Sequence, residues 1–322
     1  MARALVTGGA GFIGSHVAER FLDAGYEVTI LDNLSSGKRE NVPAGAQLRE
    51  LDIRSPEAAA LVREGRFDVI AHLAAQIDVR RSVEDPLFDA DVNIRGTINL
   101  VEAVRASAHS TRIVFASTGG ALYGDGAEPP TVEQFAKDPE APYGIAKLSV
   151  EYYLAYYARV HGLDTVAVRF GNVYGPRQDL HGEAGVVAIF CNRIVSGRPL
   201  TVFGDGAQTR DYVFVGDVAD GIVRAATAQL PAPGRVDARA FNIGTAVETS
   251  VVEVARLLMQ AAGCEVPIEF APKRAGEIQR SCLNVDKVQR ELGWRPQVGI
   301  AEGLQRTFAW AAGRQAAAEA RA

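Results

Sequence analysis

The chain has 322 residues, of which 48% are hydrophobic, with a formal net charge of -5 and an isoelectric point near 5.7. That balance lacks the basic footprint of a nucleic-acid-binding face. The length exceeds the usual single-core limit of about 250 to 300 residues, so one large domain plus a smaller lobe is expected. Cys191, Cys264 and Cys282 are scattered and odd in number, and no Cys/His cluster has zinc-ligand spacing. A reducing compartment, no structural disulfide and no metal are expected. The start, Met1-Ala2-Arg3, runs straight into an apolar strand with no room for a signal peptide, and no apolar run approaches the ~18 residues of a membrane span. The expectation is a soluble, cytoplasmic protein with no membrane partner.

The first stretch, Ala4 to Val17, carries the strongest signal. An apolar run enters Gly8-Gly9-Ala10-Gly11-Phe12-Ile13-Gly14 and leaves into a helical pattern through Val17, Phe21 and Leu22. Gly9-x-Gly11-x-x-Gly14 fits the dinucleotide fingerprint, in which the chain turns tightly, the backbone approaches a pyrophosphate, and helix packs on strand. The next strand-like run, Glu27 to Leu31, ends in Asp32, about twenty residues on, where an acid binds the adenosine ribose. An acid at that position favours NAD over NADP. A turn-rich segment, Asn33 to Arg39, follows, and Leu48 to Ile53 reads as a third strand with Asp52 at its end, placed either against the adenine or in solvent. Pro56 opens a helix through Leu61 and Val62.

Phe67 to Ala75 is a near-continuous apolar run, as a strand covered on both faces should be. His72 within it has no second ligand type beside it, so a packing or hydrogen-bonding role in the sheet is expected rather than ligation. A helix from about Pro86 to Ala108, with Val92, Leu100, Val101 and Val104 among its apolar positions and Asn93 interrupting them, precedes the buried strand Arg112 to Thr118. These repeated units predict an α/β fold with a doubly wound parallel sheet, a Rossmann domain over residues 1–172. Beyond residue 170, Gly and Pro clusters separate shorter elements, with helical patterns at Val186 to Val195, Val251 to Ala262 and Ile300 to Ala311. A smaller α/β substrate lobe over 173–209 and 246–312 fits this pattern. The stretch 210–245 rejoins the first sheet in this reading, and the Ala-rich tail 313–322 is frayed helix or disorder with no assigned role.

Pro142-Tyr143-Gly144-Ile145-Ala146-Lys147 begins another helix, and Tyr143 and Lys147, four apart, share one of its faces. An ammonium beside a phenol favours the phenolate, and the positive nicotinamide of NAD would push the same way, which would turn a tyrosine with an ordinary value near 10 into a base near neutral pH. Thr118 ends the preceding strand at the sheet's carboxyl edge, where its hydroxyl would share a substrate proton, and Ser117 competes for that role. Taken alone, a Tyr and a Lys four apart are ordinary helix surface.

With the glycine loop, Thr118, Tyr143-x-x-x-Lys147 and Arg169-Phe170-Gly171-Asn172-Val173-Tyr174-Gly175-Pro176 on the page, the chain resembles the extended short-chain dehydrogenase/reductase family, in particular its nucleotide-sugar epimerases. The resemblance spans residues 3 to 312. It implies NAD as cofactor, held by Gly8, Gly11, Phe12, Ile13, Gly14, Asp32, Asn33, Asp52, Ile53, Leu73, Ala74, Ala75, Gln76 and Asn93 together with Tyr143 and Lys147. It implies Thr118, Tyr143 and Lys147 as the catalytic set, with the spacing to Tyr143 favouring Thr118 over Ser117. Thr118 and Tyr143 then also touch a UDP-sugar, and Asn172, Val187, Val202, Phe203, Arg210, Arg274, Glu277 and Ser281 match the remaining substrate-binding positions. Arginine suits a diphosphate because its planar fork makes paired charge-assisted bonds.

Departures within the motifs narrow the reaction. Dehydratases and decarboxylases of this kind carry acidic chemistry after the active-site hydroxyl, where this chain has Gly119-Gly120. Uronate epimerases tend to have hydroxyl residues there and Thr at position 172. Galactose-pathway relatives often have Leu-Lys where this chain has Gln76-Ile77. The reading that remains is an isomerase, a UDP-hexose 4-epimerase working through a 4-keto sugar. Small Ser281 at the gate near the C2 substituent leaves room for UDP-GlcNAc and UDP-GalNAc beside UDP-glucose and UDP-galactose. The alternatives are a nucleotide-sugar dehydratase or reductase, and a non-enzymatic NAD sensor, which would not need the Thr, Tyr and Lys set. Relatives pair the aromatic-rich helix 151–157 and the helix through Asn93 across a two-fold axis, so a homodimer is expected.

Overall fold

The computed structural model describes residues 1–179, 185–273 and 278–319. In chain order the elements are β1 (Arg3–Thr7), α1 (Phe12–Asp23), β2 (Glu27–Asp32), β3 (Gln47–Glu50), α2 (Pro56–Glu64), β4 (Val69–His72), α3 (Val79–Glu84), α4 (Pro86–Ala90), a π-helical turn (Asp91–Arg95), α5 (Gly96–Ala106), β5 (Arg112–Thr118), α6 (Pro142–His161), β6 (Asp164–Phe170), β7 (Asn172–Tyr174), α7 (Val186–Val195), β8 (Leu200–Phe203), β9 (Thr209–Phe214), α8 (Val215–Thr227), β10 (Ala240–Ile243), β11 (Glu248–Ser250), α9 (Val251–Ala262), β12 (Ile268–Ala271), β13 (Arg280–Ser281), α10 (Asp286–Leu292) and α11 (Ile300–Glu319).

Seven strands form the main sheet in the order β10-β6-β5-β4-β1-β2-β3, all parallel. The inner strands are buried on both faces, which is why they read as unbroken apolar runs. One face packs Val6, Val114 and Val168 against α1 and α8 through Val17, Phe21, Val218 and Ile222. The other packs Leu5, Ile70, Ile113 and Phe115 against α2, α5 and α6 through Val62, Leu100, Val104 and Leu154. Strand order reverses between β1 and β4, so the chain leaves their carboxyl ends in opposite directions and opens a crevice there.

A second core, with Tyr174, Phe190, Leu200, Val202, Tyr212 and Leu258, lies under β8, β9, α7, α9 and α11. The strand-then-helix at 210–226 divides between the two units. β9 pairs with β7, β11 and β13 in a four-stranded sheet, while α8 packs on α1 and β10 extends the main sheet beside β6.

Three expectations change in detail. The run Phe67 to Ala75 is strand only to His72, because the next two amides, of Leu73 and Ala74, donate to Thr7 Oγ1 at 3.2 and 3.1 Å. The third strand stops at Glu50, after which Leu51 N donates to Asp32 O. The helix expected over Pro86 to Ala108 is broken at Asn93 by the π-helical turn. Before it stands α3, which the sequence reading missed. Its N-cap Asp78 accepts from the amides of Arg80 and Arg81. The Ala-rich tail continues α11 as far as Glu319.

Candidate active site

The glycine loop lies at the crevice. Gly8 has a φ of +68°, and a Cβ there would fall 2.8 Å from Ala74 N, so the turn after β1 and the turn after β4 touch backbone to backbone. Gly14 is tighter still, since a Cβ would lie 2.1 Å from Gly8 O. Helix α1 follows with Gly11 as an N-cap that supplies no side-chain hydrogen bond. Its first amides and the positive end of its dipole suit a pyrophosphate, and Phe12 and Ile13 occupy its first turn. Asp32 ends β2 with its carboxylate accepting from Ala10 N at 3.0 Å and Leu34 N at 2.8 Å. Asn33 donates to Asp52, which is also gripped by both Nε and Nη2 of Arg54. The Arg54 guanidinium holds the Asp52 carboxyl far below the usual carboxylate range. These groups fit a dinucleotide with a ribose at Asp32.

The floor of the crevice is a chain of buried polar bonds. Thr7 Oγ1 meets His72 Nδ1 at 2.7 Å, His72 Nε2 meets Thr97 Oγ1 at 2.8 Å, and Thr97 Oγ1 donates to Asn93 O. His72 is therefore a sheet histidine, and burial pushes it down to about 3, so it is neutral near pH 7. Asn93 in turn clamps Gln76: its Oδ1 accepts from Gln76 N at 2.9 Å and its Nδ2 donates to Gln76 O at 3.0 Å. This fixes the turn Leu73, Ala74, Ala75 and Gln76, while Ile53 is buried beneath the adenosine side.

Thr118 ends β5, and Tyr143 and Lys147 stand on the first turns of α6, which packs against β5. Lys147 Nζ donates to Ala116 O at 2.9 Å, two residues before Thr118 on β5, and lies 5.8 Å from the centroid of the Tyr143 ring. Thr118 Oγ1 accepts from Ala121 N at 3.2 Å. Ser117 faces the opposite way, its hydroxyl donating to the buried Glu151 carboxylate, which leaves Thr118 as the hydroxyl at the site. Tyr143 is half-buried, and its amide donates to the buried Ser82 hydroxyl at 3.2 Å.

Among the chain's own groups, burial and Asp89 oppose the phenolate that Lys147 favours. Burial, then the Asp89 carboxylate, pushes Tyr143 up to about 12, and burial brings Lys147 down to about 8 against the pull of Asp89 and Glu151. Lys147 Nζ is meanwhile bonded to Ala116 O.

Sequence reading missed Asp89, Glu151 and Arg169. Asp89 is buried and accepts from Gln76 Nε2 and Asn93 Nδ2, both at 3.0 Å. Arg169 is fully buried, bonded to Glu151, Tyr123, Glu133 O and Asp237. Two signals were present in the sequence. Glu151 follows Lys147 by four on the same helical face, and Arg169 is a charge inside an apolar strand.

On the substrate side, Asn172 is exposed at the start of β7, 3.8 Å from where a Gly120 Cβ would stand. Arg210 on β9 is half-buried and in register with Ser281 on β13. Phe203 is half-buried, whereas Val187 and Val202 are core side chains of the lobe. Arg274 and Glu277 lie outside the described residues. Among the described residues no group of three or more His, Cys, Asp or Glu could hold a metal, and no helix is long and apolar enough to cross a membrane.

A family model described as the NAD dependent epimerase/dehydratase family matches residues 4–244. The chain belongs to that family. A UDP-glucose 4-epimerase of Mycolicibacterium smegmatis is 46% identical over 310 residues, 95% of this chain and 97% of that protein. The crystal structure of the UDP-glucose 4-epimerase of Thermotoga maritima with UDP-glucose superposes with a TM-score of 0.91 at 41% identity, covering 98% of this chain and 99% of the other. The Thermus thermophilus UDP-glucose 4-epimerase in complex with NAD gives a TM-score of 0.88 at 44% identity, over 97% and 99%. As an NAD dependent epimerase/dehydratase family member, the chain carries Gly119-Gly120 directly after its candidate hydroxyl.

Proposed function

We infer that the chain catalyses the NAD-dependent, reversible inversion at C4 of a UDP-hexose, interconverting UDP-glucose and UDP-galactose through a 4-keto sugar. The observation that carries this reading is the grouping of Thr118, Tyr143 and Lys147 beside the dinucleotide crevice with glycines, rather than acids, after Thr118. A dehydratase needs an extra acid or base to expel water, and these two positions supply none.

The chemistry supplied by bound NAD is reversible uptake of the C4 hydride. As the phenolate that Lys147 and the positive nicotinamide of bound NAD would together favour, Tyr143 Oη takes the proton of the C4 hydroxyl and later gives it back, and the Thr118 hydroxyl shares that proton. Lys147, fixed on Ala116 O, keeps a cation within reach of the phenol. Asn172, Arg210 and Arg274 hold the diphosphate, so the hexose turns over while the nucleotide stays anchored. Incubating the purified protein with UDP-galactose and separating the products tests the reading: UDP-glucose should form, and a 4-keto-6-deoxy product would replace epimerisation by dehydration.

A wider sugar range rests on Ser281. Its register beside Arg210, itself a candidate diphosphate ligand, supports a small side chain near the sugar. The wild type should epimerise UDP-GlcNAc as well as UDP-galactose. Ser281→Tyr should lose the N-acetyl activity and keep the other, and a wild type inert toward UDP-GlcNAc would limit the enzyme to the unsubstituted pair.

A homodimer completes the reading. Ile145, Tyr152, Tyr153, Tyr156 and Val160 form an exposed stripe on α6, with exposed Val79, Val83 and Leu87 on the neighbouring α3 and α4. Contiguous exposed apolar side chains of this kind suit a protein–protein contact. The free thiols of Cys191, Cys264 and Cys282 suit the cytoplasm.

A further inference from the structure

We propose that Pro176–Asp179 is a clasp on the phosphate-binding helix α1, with the Arg177–Glu19 ion pair as its main contact, and that it keeps the cofactor on the chain as a prosthetic group. The proposal rests on the NAD reading above and adds how the cofactor is retained.

Helix α1 begins at the glycine loop, and its far side faces the segment that follows β7. Arg177 Nη2 donates to Glu19 Oε1 at 2.6 Å, and His16 Nε2 donates to Pro176 O at 2.9 Å, one helical turn apart on α1. Burial lowers the His16 pKa, so a neutral ring with its proton on Nε2 serves this bond. The clasp's backbone is held out of its ordinary range: Arg177 has a φ of +68°, a left-handed conformation that side-chain-bearing residues rarely adopt. Its Nη1 is buried with no hydrogen-bond partner among the described residues. Both features cost free energy, and both accompany a placement of the guanidinium on Glu19.

The contacts span the cofactor crevice from two banks. Phe12 and Ile13, the first turn of α1, pack partly against the lobe core of Tyr174 and Val187. On the other bank, Lys38 N and Asn41 Nδ2 both donate to Ala10 O, at 2.9 and 3.2 Å, and so cover the glycine loop. Lys38 Nζ then reaches Asp179 at 3.8 Å and joins that cover to the clasp. A dinucleotide bound at the amides of α1 therefore sits where main sheet, β2 loop and substrate lobe are tied together. In this proposal its release is eased when Glu19 parts from Arg177 and Pro176 from His16. An epimerase that returns its hydride each turnover has no need to exchange cofactor, so a shut crevice suits it.

The test measures NAD release rather than turnover. Wild-type protein, Arg177→Ala, Glu19→Gln and the double variant are loaded with labelled NAD and chased with unlabelled NAD. Each single variant should release label about two- to fivefold faster, as expected for losing one part-exposed ion pair. The double variant should be no faster than the faster single, because both remove one shared contact, and Arg177→Lys should recover part of the retention. Single variants that release label at the wild-type rate overturn the clasp alone, as does a double variant whose effect is the product of the singles. A wild type that binds no NAD overturns the cofactor reading and the clasp with it. Glu19→Gln alters only a half-buried side chain on α1, so it reports even where Arg177→Ala fails to fold.

Discussion

Lys147 stands one helical turn after Tyr143, its Nζ 5.8 Å from the ring centroid. At that range a unit charge acting through an effective dielectric near 20 is worth about 3 kcal/mol, or about 2 units of pKa. Burial of an ionisable group opposes it with up to about 3 to 5 units. Desolvation therefore wins, and Asp89 adds to it. Asp89→Asn keeps an acceptor for Gln76 and Asn93 and removes only the charge, so the inflection belonging to Tyr143 in the pH–rate profile should move to lower pH. An unmoved profile would remove Asp89 from the electrostatics of the site. Tyr143→Phe removes the proton carrier itself: turnover should fall by about 10²- to 10⁴-fold with NAD still bound, as steady-state rates and cofactor content on one preparation would reveal. Lys147 and Tyr143 were legible from their spacing of four. The rise at Tyr143 was not, because it depends on Asp89, which lies far away in the chain and arrives through the packing of α4 on α6.

At the scale of elements, the glycine loop was readable because its constraint is local. A Cβ at Gly14 would lie 2.1 Å from Gly8 O, so Gly14→Ala should displace α1 or the loop and lose most NAD binding, as titration calorimetry would measure. The buried cluster behind β5 and β6 was not readable, since Arg169, Glu151, Tyr123 and Asp237 come together only when α6 lies on the sheet. Arg169→Leu would strand the Glu151 carboxylate and should cost about 3 to 5 kcal/mol in urea unfolding. Adding Glu151→Leu should restore part of that loss, and a double variant less stable than Arg169→Leu would contradict this account. The split of the expected Pro86 to Ala108 helix has the same origin. Asn93 is ordinary helix surface by sequence, and only its bonds to Gln76 N and O turn the position into a π-helical turn.

For the whole molecule, the order of strands sets the function. Reversal between β1 and β4 makes the crevice, β5 and α6 bring Thr118, Tyr143 and Lys147 to its edge, and β9 carries Arg210 on a second sheet facing it. The doubly wound sheet was legible from alternating apolar runs. The division of 210–226 between two sheets was not, because β9 and α8 are contiguous in sequence and part only in space. The exposed α6 stripe belongs to this scale too. Sedimentation should give twice the 34.4 kDa chain mass, and Tyr153→Glu should shift it toward one chain, while a wild-type monomer would leave the stripe without a second copy.

The central claim is that one site removes hydrogen from C4 and returns it to the same carbon. UDP-galactose deuterated at C4, incubated in ordinary water with purified protein and no added NAD, should yield UDP-glucose that keeps its deuterium at C4 and no net NADH. Deuterium lost to solvent, or NADH accumulating in step with substrate consumed, would contradict it.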